Sequence, residues 1–273
     1  MIPDCLDRVR AQGPRIHCIT NYVSANACDN ILLACGASPI MAEDPREAEE
    51  ITGLCAGLDL NLGTLSERKL EAMVLSGVRA NAMGIPVVLD PVGIGASRFR
   101  REAGRLLLEK VRFTAIRGNL SEIRALALDQ GSTGGVDAAP ADRITGETLP
   151  RVRDLIGALS RRTGAVVTVT GAMDLVTDGE KTYCIRSGDP MMGRVTGTGC
   201  QLTALTAAFL AANPQFPLEA AAAAACTMGV CGELARSRLL EGEGTMTYGR
   251  RLIDAVSLLD GETLRKQADY SLL

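Results

Sequence analysis

A Gly-rich turn, Val195-Thr196-Gly197-Thr198-Gly199-Cys200, runs directly into a helical pattern that begins Gln201-Leu202-Thr203-Ala204-Leu205. The backbone N–H groups at such a helix start point outward and the helix dipole favours negative charge there, so the turn is a candidate phosphate site. It lacks the Gly-Lys-[Ser/Thr] ending of a P-loop and the spacing of the dinucleotide fingerprint. Taken alone it serves equally as a plain helix N-terminus. Cys200 falls in the first turn, where the dipole can lower a thiol pKa and set the sulfur beside the anion. The competing reading is one more buried apolar cysteine among nine.

Two acids stand where open α/β sheets place ligands, at the ends of strand-like runs. They are Asp90 in Val87-Val88-Leu89-Asp90-Pro91-Val92-Gly93 and Glu122 in Arg117-Gly118-Asn119-Leu120-Ser121-Glu122. Hard carboxylate oxygens suit Mg²⁺, whereas an Asp-Pro turn and a helix-capping glutamate explain the same residues without a metal. Arg117 directly follows an apolar run and offers a planar donor fork for phosphate, or else a solvated surface charge. Thr170-Gly171 closes the next run, with a hydroxyl and an amide for a nucleotide phosphate or for an ordinary turn. Asn21-Tyr22-Val23 and Ser38-Pro39-Ile40-Met41 are as ambiguous, since a methionine beside a strand is usually core.

The elements that must position these groups follow from apolar periodicity. Apolar, β-branched runs at 16–20, 58–62, 85–89, 113–116 and 165–169 predict buried strands. Helical patterns at 25–35, 65–83, 98–110 and 149–161 separate them, and this alternation predicts a mostly parallel sheet covered by helices, an α/β fold. Across 174–185 two short runs flank Asp178-Gly179, which predicts an antiparallel hairpin joining the sheet. Beyond Arg194 the chain is strongly helical and includes an alanine-rich stretch at 218–239. Residues 130–137 read as a surface loop, without a linker or repeat, so one domain over 1–273 is expected.

Composition narrows the chemistry. His17 is the only histidine, which removes His-rich metal sites and leaves any Ser-His-Asp triad dependent on one residue. The nine cysteines are scattered from Cys5 to Cys231 without a C-x-x-C pair, so neither a disulfide framework nor a zinc site is indicated. A formal net charge of −3, with basic and acidic residues interspersed, gives no footprint for nucleic acid. No apolar run is read as long enough to span a membrane, and the start of the chain lacks a signal-peptide pattern. A cytoplasmic protein with a small-molecule partner is expected.

In order and approximate spacing, Ile19-Thr20-Asn21-Tyr22-Val23, Ser38-Pro39-Ile40-Met41, Asp90-Pro91-Val92-Gly93, Gly118-Asn119 through Glu122, Val169-Thr170-Gly171 and Gly197-Thr198-Gly199-Cys200 resemble the hydroxyethylthiazole kinases. The resemblance runs from about residue 14 to about residue 235. It implies a ribokinase-like three-layer α/β/α sandwich with an antiparallel edge hairpin. It also implies transfer of the ATP γ-phosphoryl group to 4-methyl-5-(2-hydroxyethyl)thiazole, a step of thiamine salvage. By this resemblance Met41 and Gly197 touch the thiazole with Asn21 close by, and Arg117 and Thr170 bind ATP. Asp90 and Glu122 hold Mg²⁺ directly or through water, and the amides of Gly197, Thr198, Gly199 and Cys200 form an anion hole. Cys200 stands where the wider superfamily carries a catalytic aspartate, and a homotrimer with its thiazole sites between subunits is implied. The rival readings are a pyrimidine-alcohol kinase, a nucleotide-dependent hydrate dehydratase, or a non-catalytic nucleotide or thiazole sensor.

Overall fold

The computed structural model describes residues 2–128 and 144–273. The loop expected at 130–137 lies outside the described residues. Six parallel strands form the body of the sheet: β1 (Arg15–Ile19), β2 (Ser38–Met41), β3 (Gly57–Asn61), β4 (Val87–Asp90), β5 (Ala115–Asn119) and β6 (Val166–Thr170). Three antiparallel strands, β7 (Asp174–Thr177), β8 (Thr182–Ile185) and β9 (Tyr270–Leu272), extend it past β6. Among the described residues the order is β2-β1-β3-β4-β5-β6-β7-β8-β9.

Strand alternation builds two cores, one on each face of the sheet. Ile16 and Cys18 of β1 join Val88, Ala115 and Val166 on one face. That face packs under α1 (Ile2–Gln12), α2 (Ala25–Cys35), α8 (Thr198–Ala212), α9 (Pro217–Ser237), α10 (Thr245–Leu258) and α11 (Gly261–Gln267). Ile19, Leu58, Leu60, Leu89, Ile116 and Val167 take the other face. There they meet α3 (Ala48–Gly53), α4 (Glu67–Met83), α5 (Arg98–Lys110), α6 (Leu120–Leu128) and α7 (Leu149–Thr163). Helices on both faces of a mostly parallel sheet make the three-layer α/β/α sandwich expected from the resemblance.

The differences from the sequence reading have identifiable causes. β5 and β6 run to Asn119 and Thr170 because these two residues pair in register, so Arg117 lies within a strand rather than after one. The 174–185 hairpin forms with Asp178 accepting the amides of Glu180 and Lys181 at 2.9 and 2.8 Å, but β9 covers it and becomes the sheet edge. A three-residue strand carries too little pattern to be predicted. The helix α9 is 21 residues long and, by length and composition, apolar enough to cross a membrane, contrary to the expectation that no run would be. Its apolar stretch is nevertheless 83% buried, because α1, α8 and α10 pack against it as the core helix of this layer.

Candidate active site

The chain leaves β1 to build β2 on one side, then crosses back to build β3 and the strands beyond it on the other. The carboxyl ends of β1 and β3 therefore flank the point where the winding reverses, the place at which open α/β sheets bind ligands. Asn21 follows β1, Asn61 closes β3, Asp90 closes β4, and Arg117 and Thr170 sit near the ends of β5 and β6. The N-terminus of α8 is laid over these strand ends.

The α8 start is set by Gly197, whose φ of +87° is left-handed backbone that favours glycine. Gln201 N–H donates to the Gly197 carbonyl at 2.9 Å, which leaves the amides of the three residues between them without intrahelical acceptors. Thr198 commits its hydroxyl to the Met192 carbonyl at 3.1 Å and so offers the site only its backbone. Gly199 lies under Arg117: a Cβ there would come within 2.4 Å of a guanidinium nitrogen. Close approach of that cation to the helix start therefore requires a residue without a side chain.

The side chains beneath form one connected polar set. Asn21 Nδ2 donates to Asn61 Oδ1 at 3.0 Å and to Cys200 Sγ at 3.3 Å. Asn61 Nδ2 donates to Asp90 Oδ2 at 2.8 Å and to the same sulfur at 3.3 Å. Thr203, one turn along α8, donates its hydroxyl to Asp90 Oδ2 at 2.9 Å. Arg117 approaches that oxygen at 3.9 Å and bonds the Thr170 hydroxyl through its other terminal nitrogen. Its side chain is only 11% exposed, so it is a held cation facing the site and not a solvated surface charge.

Glu122 lies in the first turn of α6 rather than at a strand end. It makes the reciprocal cap with Asn119, each side chain accepting the other's amide at 2.9 Å, and its second oxygen accepts Gly93 N–H at 3.0 Å. The capping role and a place beside Asp90 thus coexist. Burial, and then the Asp90 carboxylate, push Glu122 up to about 7. Burial also raises Asp90, while Arg117, Thr203 and Asn61 pull it back. Cys200 too is raised, first by burial and next by the Asp90 carboxylate, so a dipole-lowered thiol is not what this setting provides.

The two carboxylates suit a divalent cation. Asp90 Oδ1 is buried without a hydrogen-bond partner, and two neighbouring buried acids repel unless protonated or neutralised. Among the described residues no group of three or more His, Cys, Asp or Glu is placed to hold a metal, so water or phosphate would complete the shell, as Mg²⁺ prefers. A cavity of about 470 Å³ opens beside Arg117, Thr170, Gly171, Asp174 and Gly199 and runs to Met228 of α9. Met41, at the end of edge strand β2 and 36% exposed, stands outside the hydrogen-bonded set. His17 is buried elsewhere, bonded to Ala42 O and Thr52 Oγ1.

Asn61, Thr203, Asp59 and Lys69 were not singled out from the sequence. Asp59 is fully buried next to Asp90 with both oxygens unpartnered, and Lys69 donates its ammonium to the carbonyls of Thr20 and Gly63. The alternation in Leu58-Asp59-Leu60-Asn61-Leu62 was a usable signal, since it puts two polar side chains on one face of an otherwise apolar strand.

The family profile described as HK: Hydroxyethylthiazole kinase family matches residues 6–262. The chain belongs to the hydroxyethylthiazole kinase family. It is 51% identical to a hydroxyethylthiazole kinase of Clostridium acetobutylicum over 99% of both chains. It is 44% identical to that of Desulfovibrio desulfuricans over 98% of this chain and 97% of the relative. The solved structure of a hydroxyethylthiazole kinase protein from Pyrococcus horikoshii superposes with a TM-score of 0.88 at 34% identity, covering 100% of this chain and 98% of the other. Pyridoxal kinase from Staphylococcus aureus, at 13% identity and a TM-score of 0.62, covers 95% of this chain and 98% of its own, and shares the ribokinase-like fold. Membership makes the chain a kinase of the class that phosphorylates a thiazole alcohol in thiamine biosynthesis.

Proposed function

We propose that the chain transfers the γ-phosphoryl group of ATP to the hydroxyl of 4-methyl-5-(2-hydroxyethyl)thiazole, with Mg²⁺ held by Asp90 and Glu122, directly or through water. The observation that carries the site reading is the convergence of Cys200, Asp90 and Arg117 on the N-terminus of α8 at the winding reversal. Phosphoryl transfer through a loose transition state asks mostly for alignment and charge neutralisation. The amides of residues 197–200 and the Arg117 guanidinium would receive charge on the transferring group, with Thr170 holding that guanidinium. Mg²⁺, when bound, supplies further neutralisation of phosphate oxygens. Cys200 stands beside the place where the acceptor hydroxyl would lie; with its thiol raised by burial and by Asp90 it would position that hydroxyl, and take its proton only at pH high enough to form the thiolate.

Nucleotide binding in the 470 Å³ cavity fits its lining, cationic at Arg117 and apolar toward Ala225 and Met228. The thiazole is assigned to Met41, Asn21 and Gly197 at an interface of a cytoplasmic, single-domain homotrimer. Supporting this, Tyr22 and Val23 beside Asn21 are 71% and 66% exposed, large apolar groups that a neighbouring subunit would cover. The test is ATP consumption with Mg²⁺ and the thiazole alcohol, with the phosphorylated alcohol identified by mass spectrometry. Product formation supports the assignment. ATP binding without product from folded protein would transfer it to a different alcohol or to a sensor.

A further inference from the structure

Asn61 stands at the carboxyl end of β3, paired in register with Asp90 of β4, so their side chains share the sheet face that α8 covers. It is fully buried and its amide is saturated. Oδ1 accepts from Gly63 N–H at 2.9 Å and from Asn21 Nδ2 at 3.0 Å. Nδ2 donates to Asp90 Oδ2 at 2.8 Å and to Cys200 Sγ at 3.3 Å. The orientation of this amide is dictated by chemistry: a backbone N–H can only donate, so the oxygen must face Gly63 and the nitrogen must face the carboxylate and the thiol. An aspartate here would set a like charge against Asp90, and an apolar side chain would leave Gly63 N–H and one bond to Asp90 unmet.

We propose that Asn61 is a positioning residue that fixes Cys200 and Asp90 relative to each other, coupling the thiol that faces the acceptor hydroxyl to the carboxylate that holds the metal. Together with Asn21 it places two N–H donors on one sulfur, so Sγ cannot move without breaking a link to β1 or to β3. The charged and titratable groups around that sulfur are Asp90 on β4, Arg117 on β5, Lys69 on α4 and Cys28 on α2. None of these is a hydrogen-bond donor to it as Asn61 is. The proposal rests on the reading of Cys200 and Asp90 given above, and on geometry that is independent of any substrate.

The experiment is a double-mutant cycle of Asn61→Ala and Cys200→Ala, with kcat and both KM values measured and folding checked by circular dichroism. Loss of an outer-shell partner typically lowers activity about 10- to 100-fold. Asn61→Ala is expected to lose kcat by that much while KM for ATP and alcohol stays within about threefold, and the double variant should lose less than the product of the singles. Fully multiplicative losses, or a loss confined to KM, would overturn the coupling and leave an ordinary buried amide. Alkylation of Cys200 by iodoacetamide at fixed pH, read by mass spectrometry, gives a second readout. Its rate should change several-fold in Asn61→Ala, and an unchanged rate in folded protein counts against the proposal. If Cys200→Ala alone leaves kcat intact, the catalytic reading of Cys200 fails separately while the alkylation rate still tests the Asn61 link. Should Asn61→Ala not fold, a crystal structure of the unaltered protein decides, since separation of Asn61 Nδ2 from Cys200 Sγ by more than hydrogen-bonding distance overturns it.

Discussion

Two buried acids beside one another are stable only if protons or a cation offset their charge, and at Glu122 this has a readable pH consequence. In the folded chain its carboxyl binds its proton up to about pH 7, against an ordinary value of 4.5. Its contribution to the stability of metal-free protein is therefore complete below about pH 4.5 and is lost as pH rises through about 7. Asp90, also raised, acts in the same direction. Thermal melts of metal-free protein should fall from pH 5 to pH 8, and Glu122→Gln should flatten that fall; parallel slopes would refute the assignment. Because a metal needs the carboxylate, the Mg²⁺ concentration for half-maximal turnover should drop over the same range, checked by Mg²⁺ titrations at pH 6, 7 and 8. For Cys200, general acid–base assistance is worth roughly 100-fold or more where it operates in full, and a loose transition state asks for less. Cys200→Ala should slow turnover about 10- to 100-fold and leave ATP affinity, measured calorimetrically, unchanged.

At the scale of elements, β3, β4, β5 and β6 end on the polar residues Asn61, Asp90, Asn119 and Thr170, and the helices are fixed by caps and apolar faces. Ser66 is the N-cap of α4, its hydroxyl accepting Lys69 N–H at 3.2 Å, and Lys69 in turn reaches under the loop after β1 to the Thr20 carbonyl. Ser66→Ala should cost about 1 kcal/mol in a denaturant melt. A larger loss would mean that the cap also holds the Lys69 contacts. The helices at 25–35 and 98–110 match their predicted bounds because periodicity and boundary residues agree there. The helices α1 and α3 were not anticipated, and α9 shows the opposite limit. Its composition alone admits a membrane span, and only the surrounding helices reveal a core helix.

For the whole molecule, Tyr22, Val23 and Met41 leave an apolar surface beside Asn21 that a monomer would expose to water. On the homotrimer proposed from the family resemblance, light scattering should give about three times the 28.7 kDa chain mass, and Tyr22→Asp should shift it toward the monomer with loss of turnover; a monomer with full activity would exclude sites shared between subunits. The α/β alternation, the hairpin and the ordered motifs from Asn21 to Cys200 are legible in the amino-acid sequence. These signals are local, set by side-chain period, turn residues and a Gly-rich helix start. The family resemblance rested on those same motifs, and membership bears it out. Which strand ends meet emerges only on folding, because strand order and the winding reversal between β1 and β3 are not written in any local pattern. Asn61 shows the division: alternation along 58–62 puts it on a polar face of β3, but its role arises only when β4 brings Asp90 beside it and α8 lowers Cys200 onto its amide.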